Sequence, residues 1–244
     1  MFMKISIFGK YGPYPPLNGA TSSYVLNSKQ TTVAFEFGSG AFSRVNNSFP
    51  VEKSDALILS HFHFDHCSDC GVLGYALLRY YALGKAKEPL KIYCPKDNSP
   101  LSQAIKSMKA FSVTEVGDGD EITVKDLKFK FYAVNHPVPC LGFRATDGEK
   151  TFAYGGDSNE CAALDKIIGG ADLALLDGGL LYRDWNENKP HLSVKGCSQL
   201  AKKHGVKAII THLNPEYDKG EIIDEIAVGG GDCVVAEENK TYTV

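Results

Sequence analysis

The chain of 244 residues has no apolar run approaching the ~18–20 residues of a membrane span. Its opening segment, Met1–Gly9, shows no basic stretch, no long apolar core and no small-residue cleavage site, so a secretory leader is not expected. A long basic block is missing too. The 26 Lys plus Arg stand against 29 Asp plus Glu, a net of −3, which argues against a surface that grips long nucleic acid by its phosphates. Seven Cys, odd in number and irregularly spaced, do not suggest a disulfide framework. The expectation is a soluble, cytoplasmic protein with reduced thiols and no membrane partner. No internal repeat, linker, strand–G-x-G-x-x-G–helix order or nucleophile elbow is present, which points away from dinucleotide binding and from a serine nucleophile.

What remains is ordinary globular material: 43% hydrophobic, 23% charged and 11% aromatic residues, enough for one domain over 1–244. Strand-like runs fall at Lys4–Phe8, Thr32–Phe37, Asp55–Ser60, Leu90–Cys94, Leu127–Val134, Thr151–Tyr154, Asp172–Leu176 and Lys207–Thr211. Helical stretches are read at Asp69–Leu83, Asp97–Ala110, Glu160–Ile168, Ser193–His204 and Glu216–Ile226, with Ser158 and Ser193 as candidate caps. Asp118-Gly119-Asp120 is a turn between two short strands. The early part is strand-rich and the later part mixed. That order predicts an α/β protein of packed sheets with helices outside them, not one doubly wound sheet.

Five of these runs lead into a His or an Asp: His61, His136, Asp157, Asp177 and His212. Strand ends in α/β proteins gather on one rim, so these side chains are expected to converge. The densest signal is His61-Phe62-His63-Phe64-Asp65-His66. On an extended strand end, residues two apart face one side, so His61 and His63 can reach one ion, while Asp65 and His66 turn toward a neighbouring position. Imidazole and carboxylate ligate Zn²⁺ and similar ions, and paired metals ~3.5–4 Å apart are a hydrolytic arrangement.

The motif resembles that of the metallo-β-lactamase superfamily, and later landmarks follow in order over essentially the whole chain. Asn135-His136, followed by Gly142-Phe143-Arg144, is similar to the ribonuclease-Z-like branch. Tyr154-Gly155-Gly156-Asp157-Ser158 resembles the segment that carries a metal-bridging Asp, and Thr211-His212-Leu213-Asn214-Pro215 resembles that of the last His ligand. The resemblance implies a four-layer αββα sandwich of two mixed sheets. It also implies two divalent ions, Zn²⁺ first with Mn²⁺ or Fe²⁺ as alternatives. His61, His63 and His136 would hold one ion, Asp65, His66 and His212 the other, and Asp157 would bridge. His191, before a helix, corresponds to the branch's proton donor, and Asp177 stands where the branch usually has a Glu that orients it. Asp65 would accept a hydrogen bond from the attacking water.

These residues make the chain a metal-dependent hydrolase in expectation, and the His191–Asp177 pair favours phosphodiesters, whose alkoxide leaving groups need a proton. Bacterial ribonuclease Z carries its transfer-RNA arm between the third His and the bridging Asp. Here only residues 137–156 separate them, too few for an arm. Small cyclic nucleotide or sugar phosphodiesters are therefore the expected substrates; a carboxyl-ester, lactone or thioester hydrolase is the alternative, and transfer-RNA processing ranks lower. Cys67 and Cys70 are expected to pack under the site, and His204 to be a solvated cation at a helix end. The loops Gly12–Ser23 and Tyr182–Pro190 are expected to wall the pocket, with Tyr182, Arg183, Trp185 and Arg144 as candidate substrate contacts. A homodimer stays open.

Overall fold

The computed structural model describes residues 3–244; the reading of the chain start falls partly on Met1 and Phe2, outside the described residues. The first half runs β1 (Lys4–Gly9), β2 (Ser23–Asn27), β3 (Thr32–Phe37), α1 (Ala41–Ser48), β4 (Ala56–Ile58), α2 (Phe64–Cys67), α3 (Cys70–Ala82), β5 (Leu90–Pro95), α4 (Pro100–Lys106) and β6 (Phe111–Val116). The second runs β7 (Glu121–Val124), β8 (Leu127–Ala133), β9 (Leu141–Thr146), β10 (Thr151–Tyr154), α5 (Ala162–Ile168), β11 (Leu173–Asp177), α6 (Val194–His204), β12 (Lys207–Thr211), α7 (Lys219–Gly229), β13 (Cys233–Val235) and β14 (Lys240–Thr243).

Among the described residues these strands form two seven-stranded sheets, ordered β14-β1-β2-β3-β4-β5-β6 and β13-β12-β11-β10-β9-β8-β7. Strands β3 to β6 pair in parallel, as do β10 to β13, and the rest antiparallel, so both sheets are mixed. The Asp118-Gly119-Asp120 turn is where the chain leaves one sheet for the other, since β6 and β7 lie on different sheets.

Alternation along the strands explains the layering. In β3, Val33 and Phe35 enter the core between the sheets, where they meet Phe129, Phe143, Phe152 and Tyr154 from the second sheet. Ala34 and Phe37 face the other way, against Leu73 and Leu77 of α3. On the far side, Leu176 and Ile210 pack on Leu164, Ile167 and Val194 of α5 and α6. The result is helices, sheet, sheet, helices: a four-layer αββα sandwich.

Differences from the sequence reading sit at element ends and in short edge elements. Helix α4 spans Pro100–Lys106, shorter than the expected Asp97–Ala110, because Ser99 caps it and Pro100 opens it. Helix α5 starts at Ala162, and Ser158 does not cap it; the Ser158 hydroxyl instead donates to the Asn159 carbonyl at 2.6 Å. Helix α7 is shifted to Lys219–Gly229 because the Asp218 carboxylate accepts from the Gly220 N–H at 2.7 Å. Ser193 does cap α6, accepting from Gly196 N–H at 3.0 Å. Strands β2, β13 and β14 and helix α1 were not anticipated.

Candidate metal centre

All seven side chains expected to meet do so, on the rim where β4, β8, β10, β11 and β12 end. Strand β8 runs antiparallel to β9 and β9 antiparallel to β10, so β8 ends on the same edge as the parallel strands β10, β11 and β12. His136 follows β8, Asp157 follows β10, Asp177 closes β11 and His212 follows β12. From the first sheet, β4 leads through Ser60 into His61, and one turn of helix α2 places Asp65 and His66 beyond it.

Two clusters result. His61 Nε2 lies 3.0 Å from His63 Nδ1, and His136 Nε2 lies 3.2 Å from the same atom. Beside them, Asp65 Oδ2 sits 3.1 Å from His212 Nε2 and 3.6 Å from His66 Nε2. Asp157 Oδ2 stands between: it is 3.1 Å from His66 Nε2, 3.3 Å from His212 Nε2 and 3.8 Å from His61 Nε2. These residues fall into groups with ligand-atom spacings suited to metal ions, among them His61–His63–His136, Asp65–His66–His212 and His61–His66–Asp157.

The surrounding bonds decide whether a cation fits. The Pro190 carbonyl can only accept, so His136 must carry its proton on Nδ1, 3.2 Å away, and Nε2 faces inward as a lone pair. His66 Nδ1 likewise donates to Glu36 Oε2 at 3.0 Å, leaving Nε2 bare. His61 Nδ1 lies 2.8 Å from the Ser60 hydroxyl. His63 Nδ1 has at most one proton to share between His61 Nε2 and the His136 Nε2 lone pair. Buried Asp157 Oδ1 has no hydrogen-bond partner, and His66 Nε2 faces the carboxylate oxygens of Asp157 and Asp65. Imidazole nitrogens and carboxylate oxygens converging in this number call for positive charge between them, and outer partners that fix inner tautomers are how metal-binding His are held. Divalent ions fit this donor set.

Electrostatics separates the two clusters. Burial lowers the pKa of His61, His63 and His136, keeping them in the neutral form that ligates. Around the carboxylates the balance reverses. Burial opposes charge on His66, yet Asp157 and Glu36 push it up to about 10. Burial alone would raise Asp157, but His212 and His66 hold it well below the usual carboxylate range. This side of the site is arranged around a positive charge.

Sequence reasoning missed the residues behind the cluster. Glu36 is fully buried, accepts from Ser60 N–H at 2.8 Å through Oε1, and holds His66 through Oε2. It reaches there because it is the extra residue of a bulge: Phe35 and Phe37 pair with Tyr24 and Ser23, and Glu36 adopts φ 54°. A bulge re-aims one side chain out of the alternating pattern. The available signal was a lone acid inside the apolar run Thr32–Phe37. Gly12 is a second omission, for a Cβ there would lie 2.0 Å from His212 Nε2. His212 itself is at φ 55°, in the left-handed region that non-glycine residues enter only when surrounding structure compels it.

His191 stands beside the clusters, its Nδ1 2.8 Å from Asp177 Oδ2. The shorter Asp side chain thus reaches. Asp177 is itself fixed by the N–H groups of Ser158 (3.1 Å) and Gly179 (2.9 Å). Burial works against the imidazolium, but the Asp177 carboxylate raises the His191 pKa above its ordinary value. Cys67 and Cys70 are buried against the first sheet, their thiol pKa values raised by burial, as expected of packing under the site.

Of the other expectations, those for Arg144 and His204 need correction. Arg144 is no pocket residue: its guanidinium donates to the Ile167 and Gly169 carbonyls at 2.6 and 2.8 Å, closing the end of α5. His204 is not freely solvated but 2.7 Å from Asp165 Oδ1. Arg183 is exposed and pairs with Glu221. Tyr182 and Trp185 stack on one another with centroids 6.0 Å apart, and the Lys195 ammonium sits 3.9 Å over the Tyr182 ring. Among the described residues no helix is long and apolar enough to cross a membrane.

Fold and site together define a metallo-hydrolase. Residues 17–212 match the model of the beta-lactamase superfamily domain, and the chain belongs to the metallo-β-lactamase superfamily, in its ribonuclease-Z-like branch. The probable metallo-hydrolase YhfI of Bacillus subtilis (strain 168) is 29% identical over 212 residues, covering 86% of this chain and 87% of its own. The crystal structure of YhfI has a TM-score of 0.93 at 27% identity, over 99% of both chains. Ribonuclease Z of Methanosarcina mazei is 22% identical over 297 residues, covering 97% of this chain and 96% of its own. A diphosphatase from the PhnP family shares the fold, with a TM-score of 0.74 at 17% identity over 99% of this chain and 97% of its own.

Proposed function

We propose that the protein is a phosphodiesterase with two divalent ions, acting on small cyclic nucleotide or sugar phosphodiesters. The observation that carries this reading is the His191–Asp177 pair. Asp177 accepts a hydrogen bond from His191 Nδ1–H at 2.8 Å, which leaves Nε2 as the nitrogen able to protonate a leaving oxygen. An alkyl phosphodiester expels an alkoxide and needs that proton; a thioester, whose thiolate is a much weaker base, does not. In this assignment His61, His63 and His136 hold one ion, Asp65, His66 and His212 the other, and Asp157 bridges. Zn²⁺, Mn²⁺ and Fe²⁺ all suit the mixed nitrogen and oxygen set, with Zn²⁺ favoured. Two such ions would supply a water acidified to a pKa of ~7 and charge neutralisation on the phosphoryl oxygens.

The chain's own residues do the rest. Asp65, at the accessible edge of the cluster, accepts a hydrogen bond from the attacking water and aims it. Asp177 holds the His191 ring and stabilises its charged form until the proton leaves. Small substrates are favoured over transfer RNA because residues 137–156 are fully used by β9, β10 and their flanking turns. The match to Methanosarcina ribonuclease Z runs over 297 residues, more than this chain's 244, so that relative carries insertions this chain lacks. The diphosphatase neighbour also acts on a phosphoryl group, as its name states, which is in line with the reading.

The test combines elemental analysis with a substrate panel of 2′,3′-cyclic nucleotides, bis-nitrophenyl phosphate, thioesters and a transfer-RNA precursor. Two ions per chain and turnover confined to small diesters are expected. Turnover of thioesters with inert diesters would transfer the assignment to the carboxyl-ester class, and efficient precursor cleavage would overturn the small-substrate reading.

A further inference from the structure

Asn159 lies two residues beyond Asp157, is 1% exposed, and its side-chain hydrogen bonds go to Trp185, Asn186, Lys189 and Glu160 rather than to the site residues. Its amide nevertheless uses its full bonding capacity. The NH₂ group donates to the Asn186 carbonyl at 2.9 Å and the Lys189 carbonyl at 2.6 Å. The oxygen accepts from Trp185 Nε1–H at 2.8 Å and from the Glu160 N–H at 2.7 Å. Two carbonyls on one side and two N–H groups on the other leave the amide only one orientation. The backbone continues the clamp: Asn159 N–H donates to the Asn135 carbonyl at 2.9 Å, and the Asn135 N–H donates to the Ser158 hydroxyl at 3.2 Å.

Both tethered segments end at the centre. Asn135 precedes His136. The loop held through Trp185, Asn186 and Lys189 runs into Pro190, whose carbonyl fixes the His136 tautomer, and then into His191. Between the two segments lies a cavity of about 280 Å³, walled by Asn135, His136 and Pro137 on one side and residues 187–190 on the other.

We propose that Asn159 is a positioning residue: by clamping the loop over residues 185–190 it sets His136 for metal binding and His191 for proton donation, and it shapes the cavity beside them. The inference rests on the dinuclear phosphodiesterase reading for His191, but its link to His136 needs only the metal. No other side chain of this size replaces it. Aspartate keeps the acceptor for Trp185 and sets a carboxylate against two carbonyls; alanine leaves both carbonyls and the indole without partners.

Trp185 is the chain's one tryptophan, so its fluorescence reports the loop directly. The experiment compares Asn159→Ala and Asn159→Asp with the native, metal-loaded protein. Three readouts are taken: acrylamide quenching of Trp185, metal affinity by chelator competition, and the ratio of alkyl to aryl phosphodiester turnover. Both variants should show red-shifted, more readily quenched emission and a ~10-fold weaker hold on one of two ions. Alkyl turnover should fall more than aryl turnover. A folded variant with native quenching and native metal affinity overturns the proposal, as does a lowered melting temperature with all three readouts unmoved. Should Asn159→Ala not fold, Asn159→Asp carries the same readouts. Because quenching and metal affinity need no substrate, they stand even if the chain proves to hydrolyse another ester class.

Discussion

The Glu36–His66 and Asp177–His191 pairs are chemically alike: in each a carboxylate oxygen accepts the Nδ1–H of an imidazole, at 3.0 and 2.8 Å. Their surroundings differ. Both side chains of the first pair are fully buried, and His66 Nε2 is turned toward Asp157 and Asp65. His191 keeps a fifth of its side chain exposed. A buried imidazole aimed at carboxylates can be a ligand and nothing more, because no substrate proton can reach it. The same imidazole with one edge in the cleft can pass a proton. Exposure, not chemistry, divides the two tasks: His66 lies within helix α2, under the site, and His191 in the loop that leads into α6.

His191→Ala should give the largest selective loss and the sharpest test of that division. Removing a general acid costs typically ~10²–10⁴-fold, and that loss should fall on alkyl phosphodiesters. Activated aryl diesters, whose leaving groups depart without a proton, should lose far less. Equal losses on both would put His191 in the same category as His66 and end the distinction.

Glu36→Gln probes the other pair and should have a smaller, unselective effect. The isosteric amide keeps the volume but loses the carboxylate that accepts from His66, so metal affinity should fall ~10–100-fold, as outer-partner substitutions do. Once metal is supplied in excess, turnover should recover on alkyl and aryl diesters alike. Chelator competition and metal-dependence of rate measure both effects. A loss confined to alkyl substrates would mean that the buried pair also moves protons.

The contrast also explains what could be read without a structure. His61–His66 packs four side chains of metal-ligating type into six residues, so spacing alone announced them. His136, Asp157, Asp177 and His212 each stand alone in sequence, yet each closes an apolar run, and parallel strands carry such ends to one rim. Glu36 was hidden because its placement depends on a bulge, which breaks the alternation that sequence reading relies on. Asn159 and the Pro190 carbonyl were hidden for another reason. Their roles are hydrogen bonds between loops far apart in the chain, and no local pattern encodes such a partner. The edge strands β13 and β14 are three and four residues long, too short for periodicity to register. The four-layer architecture was legible because it follows from element order and apolar faces rather than from any one boundary.

The smallest effect concerns pH. Burial lowers and Asp177 more than restores the His191 pKa, leaving it above the ordinary 6.5. If His191 donates the proton, turnover of alkyl diesters falls as pH rises through that elevated value, because the acid form is lost there. Asp177→Asn removes the charge that raises it while keeping the size of the side chain. The His191 pKa then drops, the acid form is lost earlier, and the alkaline limb of the rate profile moves toward lower pH. Aryl diesters should show no shift of that limb, since they do not need the acid. A limb that stays in place for alkyl substrates would detach Asp177 from the proton donor. It would then leave Asp177 with only the role its 3.3 Å approach to His212 Nδ1 suggests, that of orienting His212 as Glu36 orients His66.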